Sequence, residues 1–74
     1  MAKKREALEV GFAFIKAEDR QNNVWVVDRI WTHVDGLLYA NLRRERNPND
    51  VITVSVSTLA DRLYWRRVEH AVAA

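Results

Sequence analysis

The sequence predicts an all-β domain in which five short antiparallel strands curl into one small barrel. Three observations carry that prediction. Residues 24–34 and 37–44 are two runs rich in β-branched and aromatic side chains, and the Asp35-Gly36 pair between them is a strong hairpin signal. Residues 51–56 alternate, with Ile52, Val54 and Val56 on one side and Thr53 and Ser55 on the other. Asn47-Pro48-Asn49-Asp50 is a turn cluster in which every residue has a mechanical reason to bend the chain.

Taken in order, residues 1–9 read as a flexible basic N-terminal tail, because the stretch has no cap and is too short for a stable isolated helix. Residues 10–68 form the barrel. Its first strand is expected over residues 10–15, where Phe12, Phe14 and Ile15 supply aromatic and branched side chains. Residues 16–23 are polar apart from Ala17 and make the long loop that follows.

The central hairpin can be examined for register. A two-residue turn would pair Ile30 with Asn41 and mix polar with apolar residues on both faces. A three-residue loop, Val34-Asp35-Gly36, instead pairs Ile30 with Ala40, Trp31 with Tyr39, Thr32 with Leu38 and His33 with Leu37. That loop is a type I turn closing on a left-handed glycine, a role that suits Gly36. The inner face then carries Ile30, Leu38, Ala40 and Leu42, and the outer face Arg29, Trp31, His33, Leu37, Tyr39, Asn41 and Arg43. Trp25 and Val27 also read as core, but they are out of phase with Ile30, so a bulge or bend is expected near Asp28-Arg29. After the alternating strand, residues 57–61 predict one tight 3₁₀ turn with Leu59 pointing inward. Residues 63–68 predict the last strand, and residues 69–74 a C-terminal tail.

A chain of 74 residues is one domain near the lower limit for a self-sufficient core. The absence of cysteine excludes disulfides and thiolate metal sites and is compatible with a reducing compartment. No apolar stretch reaches transmembrane or signal-peptide length, which predicts a soluble cytoplasmic protein with no membrane partner. The formal charge of +2 comes from the first eight residues, where Lys3, Lys4 and Arg5 outnumber Glu6. Acidic and basic side chains balance over residues 9–69, so the dominant phosphate-neutralising force of a dedicated nucleic-acid binder is missing.

The pattern Trp25-x-Val27-x-x-Ile30, Asp35-Gly36, Ala40-x-Leu42, Val54-Ser55-x-Ser57-x-Leu59 resembles SH3-like and Tudor-like barrels, among them small bacterial proteins of uncharacterised role. The resemblance covers residues 10–68 and rests on core and turn positions, so it implies a fold and hardly constrains function. Members of this fold class bind peptides, modified side chains or nucleic acid, and some oligomerise. The type II dihydrofolate reductases build an enzyme from such barrels around a Val-Gln-Ile-Tyr segment. This chain has Val54-Ser55-Val56-Ser57 at that place, so their activity is not implied.

No catalytic or metal-binding arrangement stands out. His33 and His70 lack a third ligand at usable spacing, Ser55, Ser57 and Thr58 have no activating base nearby, and two glycines make no phosphate loop. A protein that is not an enzyme and needs no cofactor is expected. The outer hairpin face is the feature that folding alone does not require: Trp31 opposite Tyr39, with Leu37 beside them and Arg29 and Arg43 flanking. Its structural explanation is stiffening of the hairpin. Its functional explanation is a contact surface for a protein or peptide, or for a second copy of the chain. Trp65 with Arg62, Arg66 and Arg67 forms a second patch, whose structural explanation is that Trp65 closes the barrel. Single-stranded nucleic acid, stacking on the aromatics with arginines on phosphates, is the alternative partner. A cage for methylated side chains would need more converging aromatics than Trp31 and Tyr39.

Overall fold

The computed structural model describes residues 8–68. The two tails lie outside them, apart from Leu8, which is half-buried against the core, and the exposed Glu9. Five antiparallel strands, β1 (Ala13–Lys16), β2 (Val24–Thr32), β3 (Leu38–Arg44), β4 (Val51–Ser55) and β5 (Trp65–Val68), form one sheet in the order β4-β3-β2-β1-β5. A single helical turn, α1 (Val56–Leu59), links β4 to β5.

The all-β class is as expected, but the sheet is not a closed barrel. β4 and β5 end the sheet on opposite sides, and no ladder joins them. α1 links the two edges in the chain and packs against β3, β4 and β5, with its Leu59, 3% exposed, in the core. The turn is α-helical rather than 3₁₀. Ser55, in extended conformation, caps it by accepting the Thr58 N–H on Oγ at 3.2 Å. The Ala60 N–H then reaches the Val56 carbonyl at 3.1 Å, and only the following bond, from Asp61 N–H to the Thr58 carbonyl, has 3₁₀ spacing.

The hairpin register is the one its turn chemistry predicts. Ile30 pairs with Ala40, Trp31 with Tyr39 and Thr32 with Leu38, and the ladder slips between Val27 and Arg29. That slip brings Trp25 and Val27 onto the core face despite their sequence phase. Phe14, Trp25, Val27, Ala40, Leu42, Leu59 and Trp65 form the core, with Ile30, Ile52, Val54 and Val56 packed around it.

Two expected strand starts move, and one expected inner-face residue is exposed. The first strand begins at Ala13 rather than Val10, because Gly11 sits at φ +100° and the Phe12 N–H turns back to the Glu9 carbonyl, leaving Val10 exposed. The last strand begins at Trp65 rather than Leu63. Asp61 holds a preceding turn, accepting the Leu63 N–H on its carboxylate at 3.0 Å and the Tyr64 and Trp65 N–H groups on its carbonyl, so Leu63 and Tyr64 face solvent. Leu38, expected on the inner face, is 47% exposed. The β3–β4 ladder starts only at Tyr39–Ser55, so Leu38 lies past the end of β4 and no strand covers it.

Candidate functional site

The hairpin tip is built by residues 33–37. The Gly36 N–H donates to the His33 carbonyl at 2.9 Å, and the His33 N–H donates to the Leu37 carbonyl at 2.8 Å. Gly36 is at φ +88°, the left-handed conformation that glycine adopts without penalty. The Asp35 carboxylate accepts the Leu37 N–H at 2.9 Å and lies 3.6 Å from His33 Nδ1. These local bonds define the tip's conformation although it stands beyond the core.

The tip positions the outer face. Trp31 and Tyr39, directly opposite across the ladder, stack with ring centroids 6.2 Å apart and an interplanar angle of 27°. The Arg29 guanidinium lies 5.2 Å from the Trp31 ring centroid, and His33 meets Tyr39 edge-on at 5.4 Å. Four side chains therefore make one continuous array: Arg29, Trp31, Tyr39, His33. Both rings are half-buried, largely by their own row of neighbours. At its end the tip presents apolar surface to water, with Val34 96%, Leu37 56% and Leu38 47% exposed.

Arg43 does not join this array. Its guanidinium donates to the Asp28 carboxylate at 2.9 Å and to the Pro48 carbonyl, at the opposite end of the face. The Arg29–Asn41 pair lies between, and Asn41 is engaged by the Thr53 hydroxyl at 2.8 Å. Arg44 is likewise taken, bonded to the Asp50 carboxylate and laid over the Trp25 ring.

The second patch is divided by the pleat. Trp65 is 5% exposed and belongs to the core. Pairing of Phe14 with Arg67, Ile15 with Arg66 and Lys16 with Trp65 puts Arg66 on one face and Trp65 with Arg67 on the other. Arg67 stacks on Phe12 at 3.8 Å, and Lys16 reaches over both Trp25 and Trp65. Arg62 joins Trp65 and Arg67 only around a cleft of about 640 Å³ beside α1, lined also by Leu8, Phe12 and Leu59. Sequence reasoning missed this cleft because its walls come from segments far apart in the chain, residues 8–14 and 56–67. It also missed the exposed Leu63 and Tyr64, for which Asp61, a turn-forming residue two positions before Leu63, was the available signal.

Beyond the hairpin, Asp19 organises the loop between β1 and β2. Its carboxylate accepts the backbone N–H of Gln21 at 2.8 Å and of Asn23 at 3.0 Å, and the Asn23 side-chain amide at 3.1 Å. These donors, the Gln21 bond foremost, with the nearby Lys16 charge, hold its pKa below the ordinary aspartate value. Among the described residues no three His, Cys, Asp or Glu side chains converge as metal ligands, and no helix is long and apolar enough to cross a membrane. Comparison with known protein families, with curated proteins and with solved structures finds no match to this chain.

Proposed function

We propose that the chain is a non-enzymatic interaction module, on an SH3-like scaffold, that binds a protein or peptide through the tip and outer face of the β2–β3 hairpin. One observation supports this reading above the rest: a hydrogen-bonded tip carries an ordered Arg29–Trp31–Tyr39–His33 array on the face that also bears Leu37, with Val34 beside it at the turn, both aliphatic side chains left in water. Stiffening a hairpin accounts for the stacked pair but not for Val34 and Leu37, whose exposure costs free energy that a partner would recover. Aromatic and arginine side chains beside an apolar centre are the usual energetic anchors of such contacts. The cytoplasm is the compartment this reading favours, consistent with a chain free of cysteine.

Placement of the arginines favours a protein over a nucleic acid. Arg43 and Arg44 are occupied by Asp28 and Asp50, Trp65 is buried, and Arg66 and Arg67 lie on different faces. A strand of bases would find the Trp31–Tyr39 pair and, apart from it, the exposed Tyr64, with few phosphate partners beside the pair. Affinity capture from lysate, with and without nuclease, tests the reading against Trp31→Ser as the matched control. Capture is expected to survive nuclease and to be lost in the variant. Nuclease-sensitive capture would move the assignment to nucleic acid, and capture independent of Trp31 would overturn it.

A further inference from the structure

We infer that the free edge of β4 is a self-association site, where two copies of the chain pair antiparallel about a two-fold axis at Thr53. The argument begins with the direction of the β4 backbone groups. The Arg44 N–H donates to the Asp50 carbonyl at 2.9 Å, and that pair continues the β3–β4 register. Bonded and non-bonded pairs alternate along an antiparallel ladder. Ile52 and Val54 therefore direct their N–H and C=O groups toward β3, while Val51, Thr53 and Ser55 direct theirs away from it. β4 ends the sheet, so among the described residues no strand receives those groups.

Edge strands are ordinarily guarded by charge, proline or a bulge. β4 reads Val-Ile-Thr-Val-Ser and pairs with β3 without a register break, so it has none of these guards. The other edge strand, β5, carries adjacent Arg66 and Arg67, which antiparallel self-pairing centred on the strand would set against their own copies. Charge thus selects β4 against β4 over β5 against β5.

The register follows from the same alternation. With Thr53 opposite Thr53 of the second copy, Val51 faces its Ser55 and Ile52 faces its Val54. The Thr53 N–H and C=O then pair with those of the second copy's Thr53 and the Ser55 N–H reaches its Val51 carbonyl, the Ser55 carbonyl being already the first acceptor of α1. Apolar side chains meet on the core side, and Asp50 lies beside Val56 of the second copy, where no like charges meet. The product is one continuous ten-stranded sheet. A two-fold axis perpendicular to the sheet keeps both Trp31–Tyr39 arrays on the same face, so the dimer would present the proposed contact surface twice.

Sedimentation or light scattering of the full chain over a concentration series tests the inference. The expected mass rises from 8.7 kDa to twice that value as concentration increases. Thr53→Lys, which sets two ammonium groups together at the axis, is expected to hold the mass at the monomer value. Thr53→Pro should do the same, because the N–H it removes points away from β3 and the internal ladder keeps its bonds. Hydrogen exchange gives a second readout: the amides of Thr53 and Ser55 should slow with concentration in the parent, and that of Ser55 should not in either variant. A monomer at every concentration would overturn the inference. So would a dimer that Thr53→Lys leaves intact while Leu37→Ser dissolves it, a result that would place self-association on the hairpin tip instead.

Discussion

Replacing Trp31 by serine separates stability from function at the outer face, and the structure sets the scale of each effect. The ring stacks on Tyr39 across a strand pair, an interaction of about 0.2–1 kcal/mol. It also lies under the Arg29 guanidinium, an exposed cation–π contact of about 0.5–1 kcal/mol. Losing both should lower stability by about 1–2 kcal/mol. A domain of this length is expected to have about 4–11 kcal/mol in hand at the usual stability per residue, so the variant should remain folded. Urea denaturation followed by the fluorescence of the buried Trp25 and Trp65 measures the loss. A double-mutant cycle with Tyr39→Ser isolates the pair and should return a coupling within that 0.2–1 kcal/mol range. At a binding surface the same substitution acts on a larger scale, since an aromatic anchor contributes about 2 kcal/mol or more, or roughly 30-fold in affinity. Binding should therefore suffer more than folding. A stability loss above about 3 kcal/mol, the range of core aromatic truncations, would make Trp31 a structural residue and refute the reasoning. A coupling of zero would refute the stacked geometry itself.

Two further predictions concern the frame that holds the hairpin. Leu42 is 0% exposed and pairs with Val27 on one side and Ile52 on the other, so Leu42→Ala leaves a cavity at the centre of the sheet. It should cost about 2–5 kcal/mol in the same denaturation assay, and a loss under about 1 kcal/mol would mean that the sheet collapses around the void or does not pack on Leu42 at all. Asp19 has a depressed pKa in the folded chain, so its bonds to Gln21 and Asn23 add stability above the unfolded aspartate pKa and lose it as pH falls through the lower folded value. The amide resonances of Gln21 and Asn23 should shift with an apparent pKa below 3.8, and this titration should vanish in Asp19→Asn; a midpoint at or above 3.8 would show that the carboxylate does not hold the loop.

By itself the sequence determined what short-range chemistry governs. Asp35-Gly36 with two-residue alternation specified the hairpin register, because a glycine at positive φ closes the three-residue loop and a one-residue slip would turn Leu42 into water. The phase break between Val27 and Ile30 announced the bulge, and residues 57–61 announced a single turn with Leu59 inward, though not its α-helical form or its Ser55 cap. The tertiary structure decided what depends on segments distant along the chain. That β4 and β5 end the sheet unpaired with each other, and that residues 8–14, α1 and β5 meet around a cleft beside Trp65, are set by contacts between segments far apart in the chain. Arg43 found Asp28 fifteen residues away, and Leu38 lost its cover because β4 stops one pair short of it. Of the candidate site, the Trp31–Tyr39 pair was legible, because a hairpin carries its own register. Which arginines stand beside that pair was not, because an arginine takes the nearest carboxylate that the folded chain brings to it.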